Sequence, residues 1–108
     1  MKKCLLVLFF MINSIAFGWT GYKTNNTGQV YNLYPGANLS GANLAGINLS
    51  HVNLEGANLS GADFTGSILD FANLSGARLD SATFDESNLY ATRFVNALLI
   101  DASFDGAN

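Results

Sequence analysis

Cysteine, histidine and proline are nearly missing from this chain of 108 residues, which has one of each. With Cys4 alone, no disulfide can form within the chain, and His51 has no second histidine with which to share a metal ion. We therefore expect His51 to be structural or neutral. Basic residues are also scarce, since five Lys and Arg stand against eight Asp and Glu. A chain so poor in positive charge is not expected to bind nucleic-acid phosphates directly.

Long hydrophobic runs are missing as well, apart from Leu5–Ile12. This run is too short for a membrane-spanning helix, which needs about twenty apolar residues. It follows Lys2 and Lys3 and precedes small residues, the pattern of a bacterial secretory signal peptide over residues 1–18, cleaved after Gly18. We expect a secreted or periplasmic protein with no membrane span after cleavage and a net charge of about −5. A retained membrane anchor is the alternative.

The rest of the sequence repeats every five residues. The residue two before each central leucine or phenylalanine is small or β-branched, most often alanine. A period of five fits neither a helix nor a flat strand, so we expect both positions to point inward and the other three outward. The corner, two residues after the centre, often carries glycine, which tolerates positive φ. The predicted core consists of the central residues Leu39, Leu44, Leu49, Leu54, Leu59, Phe64, Leu69, Leu74, Leu79, Phe84, Leu89, Phe94, Leu99 and Phe104.

A second period of twenty residues is superimposed on the first. When the units are sorted by position modulo twenty, two of the four columns have only alanine two residues before the centre. Phe64, Phe84 and Phe104 also share one column. Because identical side chains pack well on one another, this period favours a four-sided coil. Fourteen units would then make about 3.5 turns. A triangular coil is the alternative.

The tandem motif A-[ND]-L-x-x over residues 37–108, as in Ala37–Gly41 and Ala57–Gly61, resembles the pentapeptide repeat proteins. The resemblance implies an all-β fold, a right-handed quadrilateral β-helix with the central and small residues inside. Solenoids need capping elements, and residues 19–36, which are rich in aromatic and apolar side chains, are the expected amino-terminal cap.

Six acidic residues fall on two adjacent columns, mostly toward the carboxyl end: Asp63, Asp80, Asp85, Glu86, Asp101 and Asp105. Some pentapeptide repeat proteins mimic the charge and girth of duplex DNA and bind DNA gyrase. The resemblance therefore implies, as an alternative function, a DNA-mimic inhibitor of this type II topoisomerase if the chain stays in the cytoplasm. A solvated acidic surface that aids solubility explains the same residues.

Six apolar residues fall on outward positions: Ile68, Phe71, Tyr90, Val95, Leu98 and Ile100. Exposed apolar patches often mark contact surfaces, so we expect an unidentified protein partner, or a homodimer formed through this patch or the last coil. Residues 19–36 folding over the patch are the alternative. The sequence has no catalytic constellation, so we expect a non-enzymatic structural or protein-binding chain without cofactor or metal.

Overall fold

The computed structural model describes residues 21–24 and 27–108. Two named strands lie before the repeats: β1, Gly21–Thr24, and β2, Val30–Leu33. They pair antiparallel as a two-stranded sheet. The predicted signal peptide, residues 1–18, lies outside the described residues.

From residue 36 onward the chain winds into a coil held by isolated parallel bridges. Every bridge joins residues twenty apart, as Asn38 pairs with Asn58 and Asn58 with Arg78. Four units therefore complete one turn, which excludes the triangular coil. We number the sides by their central residues: side 1 has 39, 59, 79 and 99; side 2 has 44, 64, 84 and 104; side 3 has 49, 69 and 89; side 4 has 54, 74 and 94.

Backbone hydrogen bonds connect each coil with the next at every side. The Leu59 amide donates to the carbonyl of Arg78 at 2.7 Å, and the Asn58 amide donates to the carbonyl of Ala37 at 2.9 Å. Side 1 also has a polar ladder outside, since Asn58 Nδ2 donates to Asn38 Oδ1 at 3.4 Å. Each side is thus a very short strand paired above and below.

The central residues fill the column. The ten from Leu39 to Phe84 are buried, and the alanines two residues before them on sides 1 and 2 are buried beside them. On side 2 the rings stack, with 4.7 Å between the centroids of Phe64 and Phe84 and 5.0 Å between those of Phe84 and Phe104.

Burial decreases toward the carboxyl-terminal coil. Leu89, Phe94 and Leu99 are only half-buried, and Phe104 is 38% exposed, although all four were expected in the core with the rest. The physical reason is that, within residues 27–108, the last coil has a neighbouring coil only on its amino-terminal side.

All fourteen corners have a left-handed backbone. Glycine occupies seven of them, and the other seven are occupied by residues with φ between 55° and 62°: His51, Phe71, Ser81, Glu86, Ala91, Asn96 and Asp101. A Cβ at Gly41 would meet no atom within 4 Å, so the preference for glycine there arises from backbone conformation and not from lack of space.

The hairpin β1–β2 contacts the first coil. Leu33 is fully buried, and Tyr31 packs against the core. The Tyr31 hydroxyl accepts a hydrogen bond from the Asn43 amide at 3.0 Å. One coil later the equivalent amide, of Asp63, donates to a carbonyl of the preceding coil. The hairpin therefore supplies a hydrogen-bond acceptor to the first coil, as a preceding coil does for the second.

Candidate functional site

The six outward apolar residues, which we call the apolar patch, are all exposed. The exposed fractions are 40% for Ile68, 52% for Phe71, 67% for Tyr90, 55% for Val95, 50% for Leu98 and 65% for Ile100. The twenty-residue turn does not bring them onto one side: the first three lie on side 3, Val95 on side 4, and the last two on side 1. The patch thus bends around three sides of the column and leaves out side 2.

Aromatic rings form a short ladder along side 3. His51 and Phe71 occupy corners one coil apart, and their rings stack with centroids 5.1 Å apart and an interplanar angle of 4°. The ring of Tyr90 meets Phe71 edge-on, with centroids 5.5 Å apart and an angle of 82°. The Phe71 amide donates to the Tyr90 carbonyl at 2.9 Å, which fixes the two residues side by side. The ladder therefore joins two patch residues with His51.

The sequence contains the signal for this ladder, although His51 and Phe71 were interpreted separately. Positions 51, 71 and 91 lie in one column of the twenty-residue period, so two large rings at 51 and 71 have to meet. The histidine is thus placed by ring stacking, and its neighbour in that contact is not a metal ligand.

Asp70 lies beside the ladder and is partly buried. Its Oδ1 is shielded from solvent and has no hydrogen-bond partner within the described part of the chain. An unpaired buried carboxylate oxygen is costly in a folded protein. The backbone of Asp70 also contacts the ladder, since its carbonyl accepts a hydrogen bond from the His51 amide at 2.8 Å.

The six acidic residues named above occupy outward positions on sides 1 and 2. Asp85 Oδ1 accepts from Ser103 Oγ at 2.5 Å and from the Asp105 amide at 3.0 Å. Asp80 pairs with Arg78 at 3.3 Å, a surface ion pair with the arginine 61% exposed. Apart from that arginine, the charged residues of sides 1 and 2 in the later coils are all acidic.

Two kinds of site are absent from the described residues, a metal cluster and a membrane-spanning helix. Within residues 21–24 and 27–108, no three His, Cys, Asp or Glu side chains come together as a metal site. In the same part of the chain, no helix is long and apolar enough to span a bilayer.

A regular five-residue coil with inward leucines and left-handed corners defines a class of repeat protein. The profile of the family described as pentapeptide repeats matches residues 36–70 and 77–108 in eight copies. The chain belongs to the pentapeptide repeat family, whose members form right-handed β-helices.

Solved structures of pentapeptide repeat proteins are similar to this chain. A pentapeptide repeat protein, Rfr23, from the cyanobacterium Cyanothece 51142 is 32% identical over 66% of this chain and 56% of its own, with a TM-score of 0.54. One from the Arabidopsis thaliana thylakoid lumen is 32% identical over 68% of this chain and 59% of its own, with a TM-score of 0.47. This chain thus spans less than two thirds of the length of either. No curated protein sequence matches it.

Proposed function

We propose that this chain is an exported, non-enzymatic pentapeptide repeat protein whose column acts as a structural scaffold and a protein-binding surface. The exposure of the apolar patch, between 40% and 67% for each residue, is the observation on which this rests. Such residues at positions that suit polar side chains favour a contact surface. The described part of the amino-terminal segment is bound to the first coil through Tyr31, whose hydroxyl accepts from the Asn43 amide.

Site-specific photocross-linking in cells tests the contact surface. A photoreactive residue at position 98, in the patch, should give a cross-linked species, whereas one at position 40, an exposed site on the first coil of the same side, should not. A product of twice the chain mass would identify the partner as a second copy. Equal cross-linking from both positions, or none from position 98, would contradict the proposal.

A homodimer formed through the last coil is the form of self-association that the packing supports best. Phe104 is 38% exposed and Phe94 meets it at 81° with centroids 6.2 Å apart, so the end of the column presents aromatic surface. Light scattering that gives a monomer at every concentration would exclude it.

Export rests on the sequence pattern of residues 1–18 alone. Intact mass of the protein from separated periplasmic and cytoplasmic fractions tests it directly. A periplasmic species that begins at Trp19 is the expected result, and a full-length cytoplasmic chain would contradict export.

A second candidate is the DNA-mimic inhibitor of DNA gyrase, supported by the acidic residues on sides 1 and 2. It requires a cytoplasmic chain that inhibits supercoiling, with inhibition lost when Asp85 and Glu86 are replaced by Asn and Gln. We expect no inhibition, because export would separate the chain from gyrase.

A further inference from the structure

We propose that two copies of this chain associate through the two later coils of side 1, around a two-fold axis that runs parallel to the column. This inference rests on the proposed function, because it names a second copy as the partner of the contact surface. It uses a side of the column, whereas the homodimer described above uses the end.

The register of such a pair follows from the geometry of a short strand. On side 1 each coil presents two outward residues beside its central residue, one directly before it and one directly after it. A two-fold axis parallel to the column sets the strands of the two copies antiparallel and face to face. The residue before the centre in one copy then lies opposite the residue after the centre in the same coil of the other copy. A side is therefore self-complementary where these two residues attract each other.

The two later coils of side 1 meet this condition. In the last coil Leu98 lies opposite Ile100 of the other copy, and these side chains are 50% and 65% exposed. The axis therefore gathers the aliphatic side chains of both copies, and their burial favours association. In the coil above, Arg78 lies opposite Asp80 of the other copy, so a cation faces an anion on each side of the axis.

The same operation fails on the other sides of the column. On side 3 it sets Ile68 against Asp70, and on side 4 it sets Arg93 against Val95. Each of these contacts removes a charge from water without giving it a partner. On side 2 the outward residues beside the later centres are hydroxyl-bearing or acidic: Thr83, Asp85, Ser103 and Asp105. No cation among them offsets the acids.

The charges also select the direction of the axis. An axis parallel to the strands at the coil of Arg78 would make the two columns antiparallel. It would set Arg78 against Arg78 of the other copy, and Asp80 against Asp80. Like charges directly opposite one another repel. Of the two arrangements, only the one with parallel columns brings opposite charges together at this coil.

Arg78 has hydrogen-bond donors left for the second copy. Its Nη2 donates to Asp80 Oδ2 at 3.3 Å within the chain, and its side chain is 61% exposed. A guanidinium has several N–H donors, so it can keep this bond and also donate to the carboxylate of the other copy. Cations and anions then alternate across the axis, and such a network contributes more than an isolated surface pair.

Side 1 is also flat at this level. The corners that border its two later coils carry glycine or a short side chain: Gly76, Ser81, Asn96 and Asp101. By contrast, the corners of side 3 include Phe71 and Glu86. A second face can therefore approach side 1 to the spacing of about 10 Å at which sheets pack. Packed sheets cross at about 30°, so the two columns diverge toward the first coil and Ser40 stays outside the contact.

Sedimentation equilibrium of the purified protein, from micromolar to millimolar concentration, measures the association. We expect an equilibrium between monomer and dimer, with weak affinity because the face is small. Arg78→Asp leaves two acids in that coil and Asp80→Arg leaves two cations, so each variant alone should be monomeric. An equimolar mixture of the two should dimerise, since opposite charges then face each other again. Asp105→Arg reverses a charge on side 2 and should leave the dimer unchanged.

Two further variants test the aliphatic contact at matched exposure. Leu98→Asn should weaken dimerisation at least about tenfold, because it removes apolar area at the axis. Val95→Asn makes the same kind of change on side 4, at a side chain that is 55% exposed, and should have no effect. Both side chains point outward, so circular dichroism should show both variants folded. If Asp80→Arg fails to fold, the comparison of these two variants decides the test.

Three results would overturn the inference: a monomer at every concentration, a mixture of the two charge variants that stays monomeric although both are folded, or equal weakening by Leu98→Asn and Val95→Asn. A dimer that none of the changes on side 1 weakens would place the contact at the end of the column. If the protein is monomeric while position 98 cross-links to a different protein, the second copy is wrong and the contact surface stands. If it is monomeric and position 98 gives no product, the proposed function fails as well.

Discussion

At the scale of single residues, two inward serines on side 3 differ in whether the side-chain hydroxyl has a hydrogen-bond partner. Ser67 and Ser87 stand one coil apart, and each is 1% exposed. Ser87 Oγ donates to the Phe84 carbonyl at 2.6 Å. Ser67 Oγ has no hydrogen-bond partner among the described residues. The repeat prefers alanine at this position, so the two hydroxyls should differ in their effect on stability.

The serine pair gives the first prediction. Ser67→Ala should raise the free energy of unfolding by about 1 kcal/mol, because it removes an unpaired buried hydroxyl. Ser87→Ala should lower it by about 1 kcal/mol, because it breaks a hydrogen bond. Urea unfolding measures both, and each variant is the control for the other. Equal changes of the same sign would contradict the prediction.

The corners give a second pair of opposite substitutions. Ala91→Gly should stabilise the fold by about 1 kcal/mol, because Ala91 has a φ of 55° that glycine adopts without strain. Gly41→Ala should destabilise it by a similar amount, although its new Cβ would meet no atom within 4 Å. Thermal unfolding compares the two variants, and an unchanged midpoint for both would show that the corners tolerate either residue.

At the scale of elements, a side chain of the hairpin β1–β2 provides a hydrogen-bond acceptor to a backbone amide of the first coil. The Tyr31 hydroxyl accepts from the Asn43 amide, where a backbone carbonyl accepts in the coils below. At the amino-terminal end, the series of hydrogen bonds between coils thus ends at the phenol hydroxyl of Tyr31. At the other end of the described residues, Phe104 is 38% exposed.

Removal of that hydroxyl gives the third prediction. Tyr31→Phe should lower the free energy of unfolding by about 1 kcal/mol, because the hydrogen bond to Asn43 is lost. Hydrogen exchange at the Asn43 amide should become faster as well. Tyr34→Phe is the matched control, since Tyr34 is 51% exposed and should tolerate the change. Identical behaviour of the two variants would show that the hairpin contact does not stabilise the coil.

Much of the coil could be predicted from the sequence, because the leucine or phenylalanine at every fifth position marks the residue of each unit that points inward. The spacing of the alanines likewise predicts twenty residues per turn, which the bridges confirm. The hairpin could not be predicted in this way, since β1 and β2 lack a repeat and pair through backbone groups. The exposure of Phe104 was missed because the pattern of a unit does not depend on how many coils surround it.

The candidate site was predicted only in part. Phe71 and Tyr90 were recognised as outward apolar residues, whereas Asp70 and the stacking of His51 were not. The unpaired oxygen of Asp70 depends on a side-chain rotamer, which no spacing in the sequence specifies.

At the scale of the whole molecule, the chemistry of the outer surface is not the same all around the column. Acidic residues gather on sides 1 and 2, and the aromatic ladder runs along side 3. All sides share one filled core, in which Leu74 is fully buried in the middle of side 4. A change at that position therefore affects every side.

The fourth prediction concerns that core. Leu74→Asp should prevent folding, because it places an unpaired charge where no water can reach it. Leu74→Met keeps the volume and should cost less than about 1.5 kcal/mol. Circular dichroism distinguishes the two, and a folded Leu74→Asp variant would show that this side chain does not point inward.

The four-sided turn also determines how such a protein can change in length. Loss or gain of one five-residue unit rotates all later residues by a quarter turn around the column. After the gain of one unit, the later acidic residues of side 2 would lie on side 3, where the rings are, while the core would still be filled by leucine and phenylalanine. Only the loss or gain of a whole turn keeps each residue on its side. A change of one unit during gene replication would therefore leave the fold intact but bring together a different set of outward side chains on each side.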